Sequence, residues 1–179
     1  MVVQDDAKKW NTLACGYKTS VVAKNSLYVG NVKQADKVYA DRMIKSPINQ
    51  YNILPASNII PIAINDGDEI TALEYYKDKI LQFKRQKVFV LNIAGDNEFL
   101  EDTFGNVGVL QQCSVARTPH GIVWANSSGC YLYDGSKLVN LIDGKIPVTS
   151  DYASITNNFW IPSGGPDRVA AVAYIRNRD

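Results

Sequence analysis

The chain carries almost no excess of charge: 19 lysines and arginines stand against 18 aspartates and glutamates across 179 residues. That balance removes the global attraction on which phosphate-backbone binding rests, so no specific nucleic-acid binding is expected. The short basic stretches Lys84–Lys87 and Arg176–Arg178 read as a solvated turn and a solvated tail. Cysteine is scarce as well. Cys15, Cys113 and Cys130 are too few and too scattered for a disulfide framework, and their odd number leaves one unpaired, which fits a reducing compartment and synthesis in a cytoplasm. Histidine occurs once, at His120, and no two Cys or His residues sit at zinc-ligand spacing. Long apolar runs are missing, so no membrane segment is expected, and MVVQDDAKKW lacks the apolar core of a signal peptide. A long amphipathic helical pattern is absent too.

What is present is enough apolar material to build a core, 46% hydrophobic against 21% charged, over a length that suits one domain or a piece of a larger one. The clearest stretch is His120–Asn140, HGIVWANSSGCYLYDGSKLVN. Its apolar runs, Ile122–Trp124, Cys130–Tyr133 and Leu138–Val139, are punctuated by Asn126–Gly129 and Asp134–Gly135. Asn, Asp, Ser and Gly tolerate or template the tight turns between antiparallel strands, so the stretch reads as a three-stranded meander. The Asn126–Ser128 sequon falls in one of those turns and is read as a turn.

Earlier in the chain, a Lys24–Asn25 turn separates Val21–Val22 from Leu27–Val29, and Asp36–Ile44 alternates as a partly exposed strand. Residues 1–19 read as an N-terminal arm or linker and 20–179 as the domain. Pro47, Pro55 and Pro61 make Ser46–Pro61 an extended surface connection, because proline has no N–H to give a ladder. Glu69–Tyr76 fits helical spacing at Ile70, Leu73 and Tyr76, but its length between turn residues favours a strand. Lys79–Ile93 is a hairpin whose polar tip is Lys84–Lys87, and Phe99–Phe104 is a mixed polar strand. Phe159–Ile161 and Val169–Ile175 read as one more pair of strands.

The hairpins repeat. Leu27–Val29, Ile80–Phe83 and Ile122–Trp124 each follow a polar turn and lead through a polar tip into a second apolar run: Val38–Tyr39, Val88–Leu91 and Cys130–Tyr133. From Ile80 to Ile122 is 42 residues and from Leu27 to Ile80 is 53, the excess falling on the proline-rich connection. Repeats of this length built from about four strands predict an all-β, β-propeller-like fold of antiparallel meanders, open or incomplete at three to four units. A β-sandwich with evenly spaced hairpins is the alternative.

Taken together, YVGNV (Tyr28–Val32), Ser46–Pro47, NDGDEITALEYYKDKILQFK (Asn65–Lys84), EFLE (Glu98–Glu101), GIVW (Gly121–Trp124), GCYLYDG (Gly129–Gly135) and FWIP (Phe159–Pro162) resemble the propeller-bearing structural proteins of tailed-bacteriophage virions, found at the tail or head–tail junction. The resemblance covers residues 20–165. It implies a virion component made in the host cytoplasm, with other virion proteins and copies of itself as partners. It implies no activity, no cofactor and no catalytic residues.

The residues themselves point the same way. A nucleophilic triad would need His120 with Cys113 or Ser114, yet no serine- or cysteine-hydrolase signature surrounds them, and Thr118–Gly121 is a turn. Asn65–Glu69 could offer carboxylates to calcium but lacks the twelve-residue loop pattern. Asp41, Glu69, Glu74 and Asp102 are the scattered candidates for a glycosidase carboxylate pair. Gly105–Gly108 has no following Lys-Ser/Thr to make a phosphate loop. Trp10, Trp124 and Trp160 could stack on sugars or bases, but Trp124 and Trp160 sit in strand runs and read as core. The expectation is a non-enzymatic structural protein; a propeller module that binds a host peptide or glycan is the alternative.

Overall fold

The computed structural model describes residues 15–34, 36–95, 97–126 and 128–143. The expected strands at 159–161 and 169–175, together with Trp10, Trp160 and Arg176–Arg178, lie outside the described residues. Among the described residues the fold is all-β, three four-stranded antiparallel meanders laid down in chain order in a propeller-like arrangement. The first sheet is β1 (Cys15–Ala23), β2 (Ser26–Gln34), β3 (Lys37–Lys45) and β4 (Ile59–Ile60). The second is β5 (Ile70–Tyr76), β6 (Lys79–Lys84), β7 (Lys87–Asn92) and β8 (Phe99–Gly105). The third is β9 (Val115–Thr118), β10 (Gly121–Asn126), β11 (Gly129–Tyr133) and β12 (Leu138–Asn140). Among the described residues, helix is confined to single 3-10 turns at Ala56–Asn58 and Gln112–Ser114.

Local chemistry places these strands. Lys24 and Asn25 both take positive φ (46° and 58°), as do Lys77 and Asp78 (46° and 59°), the backbone of two-residue hairpins whose twist matches the flanking strands. Asn126 Oδ1 accepts from the N–H groups of Ser128 and Gly129. Asp134 Oδ1 accepts from Ser136 N, Ser136 Oγ and Lys137 N. The Lys137 and Ser136 backbone bonds hold the Asp134 carboxyl at about 2. The three aligned hairpins fall on equivalent strands: Leu27, Ile80 and Ile122 each lie in the second strand of their sheet. Within Glu69–Tyr76 the strand expected from its length is β5, Ile70–Tyr76.

The second sheet is covered on both faces, which is why β6 and β7 are buried at nearly every position. Alternate side chains of a strand point to opposite faces. Leu81, Phe83, Val88 and Val90 meet Ile122, Trp124, Tyr131 and Tyr133 of the third sheet. Ile80, Phe89 and Leu91 meet Tyr28, Met43 and Ile60 of the first. Phe83 and Trp124 pack edge to face with centroids 5.1 Å apart, and the Trp124 indole N–H donates to Val107 O at 2.7 Å. Each such large apolar side chain taken out of water contributes about 1.5–3 kcal/mol.

Three readings need correction. β1 begins at Cys15, so residues 15–19 belong to the first sheet and not to an arm. The proline-rich connection does more than span the surface. It supplies the edge strand β4, and its Leu54 and Ala56 pack with Ile59 over Val29, Val32 and Ile44 on the otherwise open face of the first sheet. Lys84 is not a solvated tip residue: it ends β6, fully buried. Only Arg85 and Gln86 form the tip between β6 and β7.

Candidate functional site

The first strands of the sheets converge on a polar seam. Gln112, in the 3-10 turn ahead of β9, is its centre. Its Oε1 accepts from Thr19 Oγ1 at 2.7 Å and from Leu73 N at 3.1 Å, and its Nε2 donates to Glu74 Oε1 at 2.9 Å and to Leu73 O at 3.4 Å. Leu73 N also reaches Thr19 Oγ1 at 3.0 Å. From the turn that leads into the third sheet, one amide therefore ties β1 of the first sheet to β5 of the second and satisfies both backbone groups of Leu73 on the edge of β5 that turns away from β6. Asn31 plays a similar part nearby, donating to Ile70 O at 3.1 Å and Glu69 Oε2 at 2.9 Å. An unpaired strand edge buried between sheets would otherwise leave polar groups unsatisfied.

The two glutamates of this seam behave oppositely. Burial works to raise the Glu69 carboxyl, but hydrogen bonds from Arg85, Lys18 and Asn31 outweigh it and the net shift is downward. Burial also drives Glu74 upward, and there the Arg117 charge and the Gln112 bond only partly offset it. Glu69 immediately precedes β5 and Glu74 lies inside it, roughly 16 Å away at the rise of an extended chain, beyond the spacing of either glycosidase geometry. Asp41 Oδ2 accepts from Asn65 N at 2.6 Å, and Asp102 is exposed on the outer strand β8. The structure brings none of these four carboxylates together as a catalytic pair.

The remaining candidates resolve in the same way. His120 is exposed in the β9–β10 turn, where its N–H donates to Thr118 Oγ1. Cys113 is exposed and contacts Gln111 at 3.8 Å, whereas Ser114 is buried beside it. Trp124 is core. In Asn65–Glu69 the carboxylates face protein donors: Asp66 pairs with Lys84 Nζ at 2.5 Å, and Asp68 accepts from Arg85 N and Gln86 N. Among the described residues no three His, Cys, Asp or Glu side chains form a metal-holding group. Gly105–Gly108 runs along the β6–β7 tip. A Cβ on Gly108 would meet Lys84 O at 2.3 Å, so glycine there serves close backbone approach and no phosphate.

An open groove of about 390 Å³ lies at the outer rim of the first sheet, between Lys45, Pro47, Ile48 and Pro61 on one side and Glu98 on the other. Lys45 Nζ meets Glu98 Oε1 at 2.5 Å, and the Tyr28 hydroxyl donates to the same oxygen at 3.1 Å. Burial and the neighbouring Glu98 push the Tyr28 hydroxyl well above its usual range, so it stays a donor. Burial works to raise Glu98 itself, but the Lys45 bond leads the effects that leave it below the usual carboxylate range. A groove with a neutralised ion pair, walls of mixed polar and apolar side chains and a two-residue edge strand can hold an extended segment; its lining contains no nucleophile–base pair. Sequence reasoning missed the groove, since Lys45 and Glu98 meet across 53 residues and no local pattern pairs them.

No known protein-family model matches the chain, and no curated protein matches its sequence.

Proposed function

We propose that the chain is a non-enzymatic structural component of a phage virion, in the tail or head–tail connector region, acting through oligomeric assembly. The observation that carries the assembly part is the outer edge of the second sheet. β8 is seven residues long and pairs, among the described residues, only with β7. Its Phe99 and Leu100 are 54% and 44% exposed, on an edge of the kind other chains pair with. The neighbouring edges are shorter, two residues in β4 and three in β12. The virion setting rests on the resemblance of the motif set between Tyr28 and Pro162. Partners are then copies of the chain and other virion proteins. Cryo-electron microscopy of native particles and mass photometry of the purified chain test this. Density for the stacked meanders within the particle supports the proposal; a stable monomer absent from purified virions refutes it.

The groove at Lys45 and Glu98 favours a second reading, a module that recognises a host peptide or glycan. Saturable binding of one such ligand by the isolated chain, weakened by Pro61→Asp, would select it over assembly.

A further inference from the structure

Among the described residues, two outer strand edges lack a partner and carry opposite charge. β4 pairs with β3 only at Met43 and Ile44, so the edge of β3 from Lys37 to Arg42 has no strand beside it. The register of β3 on β2 shifts between Gly30 and Val32, which leaves Lys37–Tyr39 as the regular part of that edge. Val38 there is 56% exposed. Lys33, paired with Val38 across β2, joins Lys37 and Arg42 to make a basic cluster. None of the three meets a carboxylate at ion-pair distance among the described residues. Lys37 and Arg42 lie 5.1 and 4.1 Å from the centre of the Tyr39 ring. Asp41 is taken by Asn65 N, so three cations stand against one open carboxylate, Asp36. The second edge is β8. Phe99 and Leu100 are exposed on it, Glu101 is held by Lys79 and Asn92, and among the described residues Asp102 meets only the N–H of Thr103.

We propose that β3 of one copy of the chain adds antiparallel to β8 of the next, Val38 and Tyr39 meeting Leu100 and Phe99 while Lys37 reaches Asp102. Charge selects this occupant. Antiparallel pairing of β8 with itself about its centre sets Asp102 against Asp102 or Glu101, and β3 paired with itself sets Lys37 against Arg42. Like charges directly opposite each other destabilise a strand pair, whereas opposite charges support it. The register shift of β8 on β7 falls just after Leu100, so the regular stretches on the two edges are both short and begin beside exposed apolar side chains. Because the two edges differ, the contact is heterologous and repeats head to tail into a ring or a filament. The pairing rests on the assembly reading of the β8 edge and needs nothing of the virion setting.

Sedimentation velocity of the full-length chain over a concentration series reads the association. The wild type is expected to form concentration-dependent oligomers that weaken as salt rises. Asp102→Lys and Lys37→Glu should each weaken them about tenfold, because reversal turns an attractive cross-strand pair into a repulsive one. An equimolar mixture of the two variants should recover the wild-type association, since native β3 then meets native β8 and the two reversed edges match each other. Equal association in the wild type and both variants would overturn the proposal in favour of another surface. A mixture no better than its components, or a wild-type chain that stays monomeric, would overturn it as well. Should a variant fail to fold by circular dichroism, the salt series on the wild type decides, and association indifferent to salt overturns the pairing. A chain that associates in this way yet is missing from purified virions keeps the pairing and sinks the virion setting alone.

Discussion

Replacing Lys84 by methionine removes a cation that is fully buried while keeping its apolar length. Its ammonium donates to Ala63 O at 2.7 Å and pairs with Asp66 at 2.5 Å, and it lies 5.5 Å from the centre of the Phe89 ring. Lys84 therefore holds the loop between β4 and β5 onto the second sheet. Breaking a buried pair from one side costs about 3–5 kcal/mol, because the partner charge stays desolvated. Asp66 keeps 20% of its side chain in water, which lowers the expectation to about 2–3 kcal/mol once that screening is allowed for. At a urea m-value of about 1–3 kcal/mol/M the midpoint falls by about 0.7–3 M. The paired change Lys84→Met with Asp66→Asn removes the orphaned charge and is expected to recover part of the loss. Equilibrium urea unfolding followed by circular dichroism measures both. A Lys84→Met midpoint within about 0.3 M of wild type would refute the reasoning, because that buried cation would then contribute nothing net.

Further expectations are independent of that one. Trp124→Ala should cost about 3–5 kcal/mol through the cavity between the second and third sheets, and Trp124→Phe about 1–2 kcal/mol through the lost bond to Val107 O, both read by urea unfolding. Gly108→Ala should destabilise strongly because its Cβ would meet the Lys84 and Arg85 backbone, whereas Gly95→Ala, with nothing within 4 Å, should leave the thermal midpoint nearly unchanged. Gln82 is buried between the first and second sheets with no hydrogen-bond partner among the described residues, so Gln82→Leu should stabilise by about 1 kcal/mol; a loss would show that its amide is satisfied in solution. The folded-state carboxyl of Glu74 is raised, so its contribution favours folding below the unfolded value and is lost as pH rises through the folded one; Glu74→Gln should raise stability at pH 7 and remove the pH dependence between those two values. Glu98 is lowered, so its contribution is present above the unfolded value and disappears as pH falls through the folded one. Glu98→Gln should therefore destabilise at pH 7 and lose its effect in acid.

How much of this was legible beforehand depended on the range of the interaction. Strand positions and turns at Lys24–Asn25, Asn126–Gly129 and Asp134–Gly135 could be read because a hairpin is decided by a few adjacent residues, their φ preferences and their alternation. The repeat was readable because equivalent strands carry equivalent apolar runs. Lys84 looked solvated because it sits among charged neighbours. Only the arrival of Ala63 and Asp66, brought by a loop, makes its burial tolerable. Gln112 had no local signal either, since its partners Thr19 and Leu73 are 93 and 39 residues away. The sequence by itself determined an all-β chain of repeated meanders, because alternation and turn chemistry are local. Tertiary structure alone decided which faces meet, that the proline-rich connection packs over Val29, Val32 and Ile44, that the candidate carboxylates stay apart and that Lys45 and Glu98 line a groove. Those outcomes belong to packing between distant strands, which no local pattern records.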